Sequence, residues 1–211
     1  MRTAALVPVK DFARAKKRLR ARFDDRAVER ILRALLADVL EALGQARRLE
    51  RVFVLSDDAA VAAAARSSGA EVCLRTPDPG LNAAIELAAA ERVSDGCDAV
   101  LVALGDLPQL TGADVDALVE AGERAPVVIA PADDGGTALL FRRPPLVIPA
   151  RFGPESASAH EAAAREHGLT PRIWSLPKDS QIDLDTPEDA ARLAAAARAS
   201  RTRDVLRELL S

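Results

Sequence analysis

Ala99-Val100-Leu101-Val102-Ala103-Leu104 runs directly into Gly105-Asp106-Leu107-Pro108, and the reading of this stretch decides the fold class. A short unbroken apolar run, closed by a turn-forming Gly and Pro, is a strand buried on both faces, as in a parallel sheet covered by helices. Outward from it, strand-like and helix-like runs alternate in both directions. Ala4-Ala5-Leu6-Val7 is a second short buried strand, ended by Pro8-Val9-Lys10. Residues 24–43 have a helical period, with Asp24 or Asp25 as cap and Gly44 after the end. Residues 51–55 form a strand, an alanine-rich helix runs to Ser68, residues 70–74 form a strand and residues 81–93 a helix.

Beyond the central strand, Thr111-Gly112-Ala113-Asp114 is a capping box opening a helix to about Glu123. Residues 127–130 are a strand, and residues 138–141 return antiparallel to it, because the connection is too short for a crossover helix. Ser158 and Glu161 form a second capping-box pattern before a helix ending near Gly168. Residues 172–176 and 181–184 read as late strands, Thr186-Pro187-Glu188-Asp189 opens a helix with Thr as cap, and residues 202–210 form a short amphipathic one. With no internal repeat, low-complexity linker or composition break, residues 1–211 are expected to form one α/β domain around a mostly parallel sheet flanked by helices.

Composition narrows the function classes. The net charge of −3 offers no basic field for nucleic acid. No apolar run approaches the ~20 residues of a membrane span, and the first residues do not fit a secretory signal. Cys73 and Cys97 lack metal-type spacing and read as buried structural thiols of a reducing cytoplasm. His160 and His167 are too few and too close together for a zinc site.

Three of the four lysines, Lys10, Lys16 and Lys17, fall just after the first strand, whereas the other basic residues are almost all Arg. Asp11 to Arg20 holds one acid and five bases, among them Arg18. The carboxyl end of the first strand is where α/β sheets bind ligands, and lysine meets phosphate as a mobile point charge. The reading is a polyphosphate cradle, against a plain solvated helix. Asp106 emerges at the same edge if its strand neighbours the first, where it can ligate Mg²⁺ or cap the next helix; Thr111 is the more natural cap. Asp183-Leu184-Asp185 puts two carboxylates on one side of a late strand, although Asp185 can equally support the Thr186 helix start. Gly135-Gly136-Thr137 can present amides and a hydroxyl to an anion, or mark a hairpin. Arg151-Phe152-Gly153-Pro154-Glu155-Ser156 lies before a helix amino terminus, which favours an anion, with Ser156 or Ser158 as alternative caps. Asn82 is either a helix cap or a residue facing a nucleotide base or ribose.

Together these segments resemble the guanylyltransferases of deazaflavin coenzyme (F420) biosynthesis, which guanylylate 2-phospho-L-lactate or phosphoenolpyruvate. The resemblance rests on Leu6-Val7-Pro8-Val9-Lys10 with Ala15-Lys16-Lys17-Arg18-Leu19, Gly80-Leu81-Asn82-Ala83-Ala84, Gly105-Asp106-Leu107-Pro108, Gly136-Thr137, Phe152-Gly153-Pro154-Glu155-Ser156 with His160, and Ile182-Asp183-Leu184-Asp185-Thr186-Pro187-Glu188-Asp189. They occur in family order and span nearly the whole chain. The resemblance implies a nucleotidyltransferase fold of the glycosyltransferase-A (nucleotide-diphospho-sugar transferase) type, in which Pro8-Val9-Lys10 replaces the usual glycine-rich first loop. It implies GTP as donor, with Lys10, Lys16, Arg18 and Asn82 on the nucleotide. It implies Mg²⁺ on Asp106 and the Asp183/Asp185 pair, Asp183 being favoured, and an acceptor held at Thr137, Gly153 and Ser156. The expected reaction joins GMP to phosphoenolpyruvate, the usual acceptor in alanine- and arginine-rich bacterial relatives, with 2-phospho-L-lactate or 3-phosphoglycerate as alternatives. Molybdopterin or sugar nucleotidyl transfer, and a non-catalytic nucleotide-binding module, are more distant readings. The partners are small molecules, with neither nucleic acid nor membrane, and a homodimer stays open.

Overall fold

The apolar runs become seven strands of one sheet in a computed structural model that describes residues 1–10, 12, 15–74 and 80–211. Asp11, Ala13 and Arg14 of the basic run, and Pro77-Asp78-Pro79 before Gly80, lie outside the described residues. The strands are β1 (Thr3–Pro8), β2 (Arg51–Ser56), β3 (Glu71–Leu74), β4 (Ala99–Ala103), β5 (Val127–Pro131), β6 (Thr137–Arg142) and β7 (Arg172–Ile173), in the order β3-β2-β1-β4-β6-β5-β7. All pairings are parallel except those of β6, which runs antiparallel to both β4 and β5.

Among the described residues the α-helices are α1 (Asp25–Gln45), α2 (Ala59–Ser67), α3 (Leu81–Ser94), α4 (Gly112–Ala121), α5 (Ser156–Glu166), α6 (Pro187–Ala194) and α7 (Arg201–Leu210). Strand alternation sorts the core into two layers. Val7, Val54, Leu101 and Val128 join Leu35 of α1, Leu118 of α4, Leu193 of α6 and Leu206 of α7 on one face. Leu6, Phe53, Val100, Val102 and Ile129 join Ile85 of α3 and Ala163 of α5 on the other. Both faces of β4 are therefore used, which is why its sequence is continuously apolar. Each fully buried Val or Leu contributes roughly 1.5–3 kcal/mol.

Capping follows the sequence at several ends and departs from it at others. Asp24 caps α1 by accepting from Ala27 N. Thr111 with Asp114, and Thr186 with Asp189, form complete capping boxes on α4 and α6. Gly44, expected past the end of α1, lies inside it; the helix stops when Ala46 turns extended. Ser158 does not cap α5. The helix begins two residues earlier behind Glu155, which sits in the left-handed region at φ 53°, and Glu161 pairs with Arg165 instead. Asn82 is not the cap of α3 either, because Gly80 takes that place.

The late strands are the larger correction. β7 pairs with β5 over only two residues, both exposed, and residues 181–184 form no strand. The later segment instead packs on one face of the sheet, where Leu184 joins the core. A 3-10 turn, Lys178–Gln181, leads into it, pinned by buried Ser180, whose hydroxyl lies in hydrogen-bond reach of Gln109 O and Asp114 Oδ2. Leu184 is fully buried while Asp183 and Asp185 are not, so the expected alternation survives without the strand. Cys73 and Cys97 are free and half-buried, less deeply placed than expected.

Candidate active site at the carboxyl edge of the sheet

β1 and β4 are parallel neighbours, so the loops that follow them lie side by side. A Cβ on Gly105 would sit 3.4 Å from Val9 Cγ2, so the β4 exit packs directly on the β1 exit. Asp106 is thereby carried to the first loop, as its position after β4 predicted. Lys16 meets it there, with Nζ 3.1 Å from Asp106 Oδ2 and a second, very short ion pair to Asp185. Its backbone is left-handed at φ 49°, a conformation costly for a lysine. The 3-10 turn Lys17–Ala21 begins immediately after it and buries Leu19, which anchors the loop. Lys10, Lys17 and Arg18 are exposed on the same loop.

The charge balance here is negative. Burial first, and then Asp106, Asp185 and Asp189, push the Asp183 carboxyl up to about 6, with Lys16 opposing. Burial alone would lower Lys16; Asp106 and Asp185 overcompensate and raise it, so it stays charged. Asp185 does not cap α6, since Thr186 does, and its carboxylate is free to hold Lys16. A surplus of carboxylate oxygens around one lysine is the donor chemistry of a hard divalent cation. Among the described residues no three acidic, His or Cys side chains converge closely enough to enclose an ion. Mg²⁺ asks for less, because one or two carboxylates suffice when substrate phosphates supply the remaining oxygens.

The second half of the site is built on β6 and α5. Ala103 pairs with Leu139, and Leu104 N donates to Ala138 O, so Thr137 stands level with the chain leaving β4 toward Asp106. Ser156, at the first turn of α5, donates to Thr137 Oγ1 at 3.0 Å. His160, one turn further on, places Nδ1 3.0 Å from the same oxygen, and its Nε2 accepts from Arg151 N at 2.9 Å. All three side chains are sealed, with Thr137 and Ser156 1% exposed and His160 0%. Gly153 is exposed at φ 143° and a Cβ there would meet nothing within 4 Å, so its backbone faces open space.

The loop between β6 and α5 is held from α3. Asn82 donates to Phe152 O at 3.1 Å and accepts from Phe152 N at 2.8 Å. One turn along, Glu86 Oε1 accepts from Ala150 N at 2.7 Å and from buried Arg142 at 2.7 Å. Asn82 thus ties α3 to the Gly153–Ser156 turn through its carboxamide. Glu86, Arg142 and the central place of His160 were not assigned from the sequence; the one signal for the first was the i, i+4 spacing from Asn82 within residues 81–90, which are otherwise apolar.

The profile of the family described as "Guanylyl transferase CofC like" matches residues 3–210. A Rubrobacter xylanophilus protein named phosphoenolpyruvate guanylyltransferase is 40% identical over 198 residues, covering 93% of this chain and 95% of that one. A 2-phospho-L-lactate guanylyltransferase of Methanothermobacter thermautotrophicus is 36% identical over 213 residues, covering 99% and 92%. A 3-phospho-D-glycerate guanylyltransferase of Phenylobacterium zucineum is 37% identical over 213 residues, covering 98% and 96%. A crystal structure described as a nucleotide-diphospho-sugar transferase from Desulfovibrio desulfuricans superposes with a TM-score of 0.80 at 21% identity, over 99% of this chain and 95% of that one, which speaks for the fold alone.

Proposed function

From the premise that this chain belongs to the CofC-like guanylyl transferase family, we propose that it transfers GMP from GTP to phosphoenolpyruvate, in the assembly of the deazaflavin coenzyme. The observation that carries the reading is Lys16 between Asp106 and Asp185, at the edge where β1 and β4 end. An acceptor phosphate oxygen attacks the α-phosphorus of GTP, the bond from that phosphorus to the bridging oxygen breaks, and pyrophosphate leaves. The attacking phosphate is already ionised near neutral pH, so the chain needs no general base. Its work is positioning and charge neutralisation.

Lys16, Lys10 and Arg18 take the charge that grows on pyrophosphate. Release of Lys16 toward phosphate frees the Asp106 and Asp185 oxygens it holds. Asp106 and Asp183, with Asp185 beside them, would hold Mg²⁺, which when bound would supply charge neutralisation on phosphate oxygens. Thr137, Ser156 and the Gly153 backbone hold the acceptor by hydrogen bonds and carry no charge to place on the triphosphate. Phosphoenolpyruvate is preferred because relatives 39–40% identical carry that name, whereas the 2-phospho-L-lactate and 3-phospho-D-glycerate relatives are 36% and 37% identical. Free thiols at Cys73 and Cys97 support a reducing, cytoplasmic setting.

Incubation with GTP, Mg²⁺ and each of phosphoenolpyruvate, 2-phospho-L-lactate and 3-phosphoglycerate, read by product mass and pyrophosphate release, tests the reading. The expected result is one guanylylated acid, formed fastest from phosphoenolpyruvate. Product from another of the three acids moves the acceptor, and no product from any of them overturns the reading.

A further inference from the structure

His160 is buried among donors rather than acceptors, and that fixes its state. The Arg151 N–H can only donate, so Nε2, 2.9 Å away, must offer a lone pair. Burial first, and then the charges of Arg142 and Arg151, keep the ring neutral and pull its pKa down to about 4, with a backbone hydrogen bond to Ser156 acting the other way. A neutral ring whose Nε2 accepts carries its proton on Nδ1. That proton points at Thr137 Oγ1, 3.0 Å away. The Phe152 ring packs edge-to-face with the imidazole, 4.8 Å between centroids and 69° between planes, and holds its plane.

The proton count of the cluster then has one outcome. Three protons are available: Nδ1–H and the two hydroxyl protons of Thr137 and Ser156. Nδ1–H is shared between Thr137 Oγ1 and the Ser156 backbone, so Nδ1 offers no lone pair, and the 3.0 Å contact between the hydroxyls uses one of their two protons. The remaining hydroxyl proton has no acceptor left on the imidazole. Whichever hydroxyl carries it, the buried pair keeps one donor that the imidazole cannot take. We propose that His160 is the positioning residue that commits the Thr137–Ser156 pair to donating, so that the pocket selects an anionic oxygen of the acceptor acid. The same count removes His160 as a general base, because neither ring nitrogen keeps a free lone pair.

This inference rests on the reading of Thr137 and Ser156 as acceptor ligands, and its test separates the two. His160→Gln keeps a polar group near the Nε2 position and puts a methylene near Nδ1; His160→Asn keeps an amide donor near Nδ1. With GTP and phosphoenolpyruvate, His160→Gln should raise the acceptor KM about tenfold, the scale of one hydrogen bond to a charged group, while the GTP KM stays within about twofold. His160→Asn should restore most of that loss. Nitrogen-15 NMR of histidine-labelled wild type at neutral pH should show the Nδ1–H tautomer at His160. Equal effects of the two variants, or a GTP KM that moves with the acceptor KM, assign His160 a merely structural role and overturn the proposal. An Nε2–H tautomer overturns it even in a protein without turnover. A wild type that neither binds nor converts any of the three acids, yet shows Nδ1–H, sinks the acceptor reading, and the proposed selection of an acid with it, leaving only the tautomer.

Discussion

The Lys16–Asp106–Asp185 cluster and the Thr137–Ser156–His160 pocket share one edge of the sheet and are built in opposite ways. In the first, every member is charged and keeps contact with water, the Lys16, Asp106 and Asp185 side chains being 15%, 25% and 41% exposed. In the second, every member is neutral and sealed. Groups that must exchange partners when a polyphosphate arrives stay hydrated, because a fully buried unpaired charge is very costly. Groups that read the shape and hydrogen bonding of a small acid gain from burial, because an unmatched buried donor discriminates strongly. The difference predicts where substitutions act, on turnover in one half and on acceptor affinity in the other.

The largest expected effect is in the charged half. Asp106→Ala should lower turnover by about 10²–10³-fold, the scale of losing one group that stabilises developing charge, with the melting temperature nearly unchanged because Asp106 sits at a loop edge. Turnover within about tenfold of wild type, roughly 1.4 kcal/mol of barrier, would remove Asp106 from the metal role. Lys16→Ala comes next, with GTP use weakened by about 10–100-fold. Lys16→Arg should restore it only in part, since a planar guanidinium does not replace a point charge. Its effect on stability should stay near the ~1 kcal/mol of a hydrated ion pair rather than the several of a buried one. Unchanged GTP kinetics in the alanine variant would reduce the basic run to a solvated surface.

The neutral half should answer differently. Thr137→Val and Ser156→Ala should each raise the acceptor KM by an amount equivalent to about 1.5–3 kcal/mol, with calorimetric GTP affinity close to wild type. A large loss of GTP binding with acceptor kinetics intact would move the acceptor pocket elsewhere. The smallest effect is expected from Arg18→Ala, because Arg18 is exposed; a rise of about two- to fivefold in the GTP KM fits a single hydrated charge.

The pH dependence of stability in metal-free buffer sharpens the same contrast. His160 is a base whose pKa falls from 6.5 to about 4 on folding. Its contribution to stability is complete above about 6.5 and is lost as pH falls toward 4. Asp183 is an acid whose pKa rises from 3.8 to about 6. Its folded form keeps the proton longer, so stability falls as pH rises from about 4 to 6. The two halves pull in opposite directions over one window. Denaturant melts between pH 4 and 7 should show His160→Asn losing the rising component and Asp183→Asn losing the falling one. Identical pH profiles for both variants would remove the distinction.

Much of this architecture was legible in the chain. The unbroken apolar run of β4 announced a strand buried on both faces, and two cores packed against it follow from that alone. The short connection between residues 131 and 137 required an antiparallel return, which β6 provides. Asp106 at the end of β4, the lysines after β1 and the Thr186 capping box were readable because each depends on near neighbours in sequence. The full strand order and the proton arrangement around His160 were not. Residues 181–184 alternate like a strand, yet form none, because Leu184 is buried against the face of the sheet rather than laid along its edge. Asn82 had the composition of a cap or a base-reading group, and only the folded chain shows it gripping Phe152 from 70 positions away. Periodicity, capping and turn chemistry act over a few residues and are written in order along the chain. Charge crowding, tautomer choice and long-range hydrogen bonds arise only where distant segments meet, and so only the tertiary structure decides them.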